Sequence, residues 1–275
     1  QAAMVRPLCP TRQITSASDV AEVLDWAFAT MATGRPGPVH IEVPTDVMPL
    51  PCDALPAPAP ARPALLPPAD ALTTAAQRLN AAKRVVILAG GGTRGQEPAL
   101  RALAERLDAP VIQTVNARGM LHDHPLCVPA SPSLEAARAL ISASDQILAI
   151  GTEFGPTDYD MYVRGGFPDT SGMIRIDISA EQLARHPAAQ TLCADAGATM
   201  RALLPHTATK SADGAARAAA TRSAARAELA ELDILMVKRL EMVETIRAAM
   251  PGCLIVGDST QPVYAANLYY DHDRP

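Results

Sequence analysis

Hydrophobic and polar positions change their rhythm several times along the chain. Val20, Val23, Leu24, Ala27, Phe28 and Met31 recur at helical spacing, predicting an amphipathic helix over residues 18–33. Ser18 can cap its start and Gly34 can end it in the left-handed conformation. Residues 39–44 then alternate as a strand that Pro44 stops. Eight prolines between 49 and 68 exclude helix and inner strand, so that stretch reads as an extended connector.

Beyond it, short apolar runs alternate with helical patterns. Strands are expected at 84–89, 110–114, 146–150, 173–178 and 191–194, and helices at 70–82, 98–107, 133–143 and 196–205. Continuous runs such as Val85-Val86-Ile87-Leu88-Ala89 suit strands buried on both faces. The alternation predicts an α/β fold with a doubly wound, mainly parallel sheet. An Ala/Arg/Glu-rich stretch at 208–234 reads as a solvated helical connector. A helix at 236–249, a strand at 253–256 and a helix at 261–270 then resemble the opening of a further α/β domain.

Charge and composition narrow the classes. The net charge of −5 leaves no basic patch for nucleic acid. No apolar run reaches the ~18 residues of a membrane span, no basic amphipathic helix marks a membrane surface, and the cytoplasm is the expected location. Aromatic residues are only 3% of the chain, so Ala, Leu, Val and Ile must build the core. Five separated cysteines form no C-x-x-C pair, which argues for reduced thiols and against a zinc site.

Four segments carry candidate chemistry. Gly90-Gly91-Gly92-Thr93-Arg94-Gly95 matches G-x-G-x-x-G between a strand and a helix, the context in which backbone N–H groups hold a pyrophosphate. The next strand ends in Thr114-Val115-Asn116, without the acidic residue of a nicotinamide site. A flavin-adenine or other nucleotide, or a tight turn without ligand, are the remaining readings. His122-Asp123-His124 offers two metal-type ligands and no evident third. Asp158-Tyr159-Asp160 clusters carboxylates, for which a loop or interface role is expected. Gly257-Asp258-Ser259-Thr260-Gln261 lies at a strand's end and enters a helix, suiting a diphosphate or an ordinary cap.

The segment from Gly34-Arg35-Pro36-Gly37-Pro38 through Val39-His40-Ile41-Glu42-Val43-Pro44-Thr45-Asp46-Val47 resembles the end of the pyrimidine-binding domain of thiamine-diphosphate-dependent 2-oxo acid enzymes. These include acetolactate synthase, pyruvate oxidase and benzoylformate decarboxylase. The glycine loop, Ile176-Asp177-Ile178-Ser179 and the 257–260 turn follow in the same family order. The resemblance implies five parts: the end of a pyrimidine-binding domain (1–48), a linker (49–68), a central domain (69–205), a helical connector (206–235) and the start of a diphosphate-binding domain (236–275). It implies thiamine diphosphate and Mg2+, a small 2-oxo acid substrate, and a homodimer or homotetramer.

It also implies decarboxylation followed by carboligation, as in acetolactate synthase, with a simple decarboxylase of the 5-guanidino-2-oxopentanoate or benzoylformate type as the alternative. The catalytic glutamate and the metal-binding G-D-G motif are expected before Gln1 and after Pro275, so no catalytic or metal residue is assigned here. Both ends read as cut, and the chain alone is expected to be inactive. A non-catalytic nucleotide-binding or assembly module is the competing reading. Ser259, Thr260 and Gln261 are the expected contacts of the cofactor diphosphate, with Gly90, Gly91 and Gly92 as further candidates. Flavin-binding members often carry G-M-H-G where this chain has Cys127-Val128-Pro129-Ala130-Ser131-Pro132, which leaves FAD open. The Asp258–Gln261 segment is closer to decarboxylases than to the G-Q-H-Q of acetolactate synthases. Gly151-Thr152-Glu153-Phe154 through Thr157-Asp158-Tyr159-Asp160 resembles 5-guanidino-2-oxopentanoate decarboxylases.

Overall fold

The computed structural model describes residues 1–52, 63–159 and 167–275. Most of the proline-rich stretch and Asp160 lie outside the described residues. The chain divides into two compact units, Gln1–Ala64 and Leu65–Pro275.

In the first unit, helix α1 spans Ala2–Val5, strand β1 Thr11–Gln13, helix α2 Val20–Ala32 and strand β2 His40–Glu42. β1 and β2 pair in parallel, with Thr11 opposite His40. The expected helix therefore forms, but its entry is set upstream of Ser18. The Asp19 carboxylate accepts from the Thr15 and Ser16 N–H groups and the Thr15 hydroxyl. Gly34 follows the helix with φ +72°, as expected.

The second unit holds α3 (Ala69–Ala81), β3 (Val85–Ala89), α4 (Glu97–Leu107), β4 (Val111–Gln113), β5 (Cys127–Val128), α5 (Glu135–Ser142) and β6 (Gln146–Ile150). It continues with α6 (Pro156–Tyr159), β7 (Ile174–Asp177), α7 (Ala180–Leu183), β8 (Gln190–Cys193), α8 (Ala196–Leu203), α9 (Gly214–Leu232), α10 (Ile234–Ala249) and α11 (Gln261–Leu268). The six strands run β5-β4-β3-β6-β7-β8, and every pairing is parallel.

β3, β4 and β6 are buried along their whole length. Both faces are covered, which is why their sequences read as unbroken apolar runs. Leu79, Leu100, Leu103, Leu107, Met200 and Leu203, from α3, α4 and α8, pack on one face. Leu140 and Ile141 of α5, Leu229 of α9, Leu240 of α10 and Ala265 of α11 pack on the other. The result is the doubly wound, mainly parallel sheet that the alternation predicts. The order reverses between β3 and β6, and the carboxyl ends of these two strands are the position at which open α/β sheets bind ligands.

One element forms that the sequence does not predict, and one expected strand fails. β5 is a strand of two residues between loops, too short to leave a periodic signal. The strand expected at 253–256 does not form. Leu254 is 80% and Val256 93% exposed, and no described strand pairs with this run. An apolar run becomes a strand only where a neighbour accepts its backbone hydrogen bonds.

Candidate functional site

Gly90, Gly91 and Gly92 sit at the carboxyl end of β3, beside the switch in strand order, but their surroundings explain the glycines without a ligand. A Cβ on Gly90 would lie 2.3 Å from the Gly151 carbonyl oxygen and 2.5 Å from Thr152 Cα, and one on Gly92 would lie 2.8 Å from Gly151 Cα. The loop also consumes its own donors. Gly90 N–H donates to Ile150 O, Gly92 N–H to Gly151 O, Thr93 N–H to Gly90 O and Arg94 N–H to Gly91 O. Gln96 N–H donates to Thr93 O, and Gly95 N–H to a Glu97 carboxylate oxygen at 3.1 Å. Among the described residues only the Gly91 N–H of this loop lacks an acceptor. An anion cradle needs several convergent N–H groups.

The 257–261 turn is the opposite case. Thr260 takes the N-cap position of α11 without a side-chain cap bond, and Pro262 brings no N–H. Gln261 and Val263 N–H groups have no acceptor among the described residues. The turn holds its own shape: Thr260 N–H donates to Asp258 O, Ser259 N–H to the Asp258 carboxylate, and the Ser259 and Tyr264 hydroxyls pair. Asp258, Ser259 and Thr260 are exposed. Unpartnered N–H groups beside two hydroxyls at a helix start form a donor set that fits a diphosphate.

The other candidates resolve into packing. His122 lies between two carboxylates, with Nε2 at 3.3 Å from Asp123 and Nδ1 at 3.2 Å from Asp271. The structure does not gather the His122–His124 pair; it groups His122 with Asp123 and Asp271, their ligand atoms within 4.8 Å of one another. His124 turns away to Glu105, at 3.0 Å, and accepts from Leu126 N–H.

The Asp158-Tyr159 pair closes over the sheet. Asp158 O accepts from the Ser131 hydroxyl, Tyr159 OH pairs with Thr152 Oγ1 at 2.9 Å, and the Tyr159 ring stacks on Phe154 with centroids 4.6 Å apart. Burial pushes the Tyr159 phenol above its ordinary range and raises the Asp158 carboxyl as well. Arg175 of β7, wholly buried, lies 5.1 Å from the Phe154 ring and donates to Thr152 O. Sequence reading passed over Arg175, because an arginine inside an apolar strand gives no sign of the aromatic face it meets.

With this geometry, comparison with known proteins is informative. Residues 72–203 match the family model described as thiamine pyrophosphate enzyme, central domain. The chain is 36% identical over its full length to the "Probable 2-ketoarginine decarboxylase" of Pseudomonas aeruginosa, of which it covers 50%. It is 31% identical, over 63% of its length, to a "Probable acetolactate synthase large subunit" of Methanococcus aeolicus, of which it covers 31%. Among solved structures it resembles one assigned as a thiamin diphosphate-dependent enzyme of Mycobacterium smegmatis. The TM-score is 0.65 and the identity 25%, covering 76% of this chain and 41% of that one. The chain spans about half the length of the first of these relatives or less. Residues 72–203 therefore match the central domain of the thiamine pyrophosphate enzymes, and the chain belongs to that family.

Proposed function

We propose that the whole protein decarboxylates a 2-oxo acid with thiamine diphosphate and Mg2+, and that its substrate is 2-ketoarginine, which is 5-guanidino-2-oxopentanoate. One observation carries the reading: the 36% identity to the Pseudomonas aeruginosa protein runs the full length of this chain. The Gly151–Phe154 and Asp158–Tyr159 segment, which resembles such decarboxylases, supports it.

When bound, the cofactor supplies the electron sink that lets carbon dioxide leave. This chain's part is to hold and orient. The Gln261 and Val263 N–H groups and the Ser259 and Thr260 hydroxyls receive the diphosphate, and the positive end of α11 faces its charge. Mg2+ and the activating carboxylate come from outside residues 1–275 in this reading, and cofactor sites form between subunits of a homodimer or homotetramer. The five-part division at 48, 68, 205 and 235 belongs to the same proposal. FAD does not belong to it: the spent N–H groups of Gly90–Gly95 favour a packing role for Gly90, Gly91 and Gly92.

The test supplies the full-length protein with thiamine diphosphate, Mg2+ and 2-ketoarginine, and follows carbon dioxide release. A parallel reaction with pyruvate is assayed for acetolactate. Carbon dioxide from 2-ketoarginine without acetolactate from pyruvate is the expected result. Acetolactate formation with 2-ketoarginine untouched would replace this reading by carboligation, which the acetolactate synthase relative favours.

A further inference from the structure

One buried cation joins parts of the chain that lie far apart in sequence. Arg118, in the loop after β4, is 3% exposed. Its Nε–H donates to Gln113 O at 2.9 Å. Its Nη1 donates to Ala266 O at 3.3 Å and Tyr270 O at 3.2 Å, and its Nη2 to Asn267 O at 2.9 Å. Burial lowers its pKa to about 10, with Asp158 and Asp271 among the charges that oppose the shift, so it is a cation at neutral pH. Ala266 and Asn267 lie in the last turn of α11, where carbonyl groups lack partners inside the helix and the helix dipole favours positive charge.

The neighbouring residues strengthen the grip. Gly119 has φ +90°, and a Cβ there would lie 2.2 Å from the Arg274 carbonyl carbon, so tail backbone runs directly over it. Ser131 N–H donates to Leu268 O at 2.7 Å and Tyr270 N–H to Pro129 O at 3.2 Å, framing an antiparallel bridge between Ala130 and Tyr269. The loop after β5 thus clamps the carbonyl end of α11. The amide end, about 12 Å away for eight residues at 1.5 Å each, carries the exposed turn.

We propose that Arg118 is a positioning residue for the cofactor turn: by holding the carbonyl end of α11, it fixes where Ser259, Thr260 and Gln261 present their donors. The inference rests on reading that turn as the diphosphate contact. A two-turn helix transmits a displacement at its held end to its other end. A planar guanidinium reaches four carbonyls at once; the lysine ammonium, a point charge with three donors, does not match that fork.

The experiment titrates thiamine diphosphate, with Mg2+, into the full-length protein and its Arg118→Met and Arg118→Lys variants, well below their melting temperatures. Amide exchange over 258–268 is followed in parallel. Arg118→Met is expected to raise Kd about tenfold, Arg118→Lys to fall between it and the wild type, and exchange over 258–268 to quicken while β3 stays protected. Millimolar guanidinium ion should restore part of the affinity of Arg118→Met, which loss of general stability would not allow. Should Arg118→Met fail to fold, Gly119→Ala, which lifts the tail without removing a charge, must raise Kd in the same direction. A Kd within about twofold of wild type in the folded variants overturns the inference alone. A wild-type protein that binds no thiamine diphosphate overturns the reading of the turn, and this inference with it.

Discussion

The two glycine-bearing turns, 90–95 and 257–261, have the same outline in sequence and opposite chemistry in three dimensions. Each follows an apolar run and enters a helix. The first is closed: all its N–H groups but that of Gly91 are bonded within the loop, to Glu97, or to Ile150 and Gly151, and its missing Cβ atoms make room for Gly151 and Thr152. The second is open: no side chain caps its helix, and two N–H groups stand without acceptors among the described residues. A glycine-rich turn therefore signals close approach of backbone, and what approaches is decided by residues elsewhere. At 90–92 it is the neighbouring strand's loop, sixty residues along.

The largest effect that would break this contrast is expected at Gly90. Gly90→Ala drives a Cβ into backbone that cannot yield, and should cost about 3 kcal/mol in denaturant unfolding. A normally stable Gly90→Ala protein that had lost cofactor affinity would reverse the assignment of the two loops. Next is the double variant Ser259→Ala with Thr260→Val. Both residues are exposed, so stability should hold within ~0.5 kcal/mol while the Kd for thiamine diphosphate rises about tenfold. Unchanged Kd in calorimetry would remove the turn from the binding site.

Helix starts sharpen the same point. α8 is capped by Asp195, whose carboxylate accepts from Ala198 N–H at 2.7 Å, and Asp195→Ala should cost about 1 kcal/mol of thermal stability. Thr260→Ala, at an uncapped start, should leave the melting temperature of the cofactor-free protein unchanged.

The smallest effect concerns acid. Burial lowers the His272 pKa from 6.5 to about 4, so the fold favours the neutral ring. Its contribution is complete above pH 6.5 and declines as pH falls toward 4. Amide exchange of α11 should quicken over that window while the 90–95 loop stays protected, and His272→Gln should flatten the response.

How much of this could be read from the chain depends on the range of the interaction. β3 and β6 were legible because burial on both faces writes an apolar run into the strand itself. The helix over Val20–Ala32 was legible from its 3.6-residue period. β5 was not, since two residues carry no period. The run 253–256 was misread because hydrophobicity reports a wish to be buried, while a strand also needs a partner.

At the candidate site, the turn 257–261 and its hydroxyls were legible, but the capacity of Gly90–Gly92 to receive a ligand was not. That capacity depends on Gly151 and Thr152, which propensity cannot place against them. Arg118 was equally silent, with three of its four partners roughly 150 residues away and all four of them backbone carbonyls.

The position of β3 also bears on how the molecule is assembled. β3 pairs with β4 on one side, closed by the single helix α4, and with β6 on the other, some sixty residues later. During synthesis the β3–α4–β4 unit is complete while β6 has yet to be made. One edge of β3 then stays unpaired, with its apolar run uncovered, until residue 150 has emerged. The central strand of the finished sheet is thus the exposed edge of the growing one, and the interval before β6 arrives is when a nascent chain has most need of a chaperone.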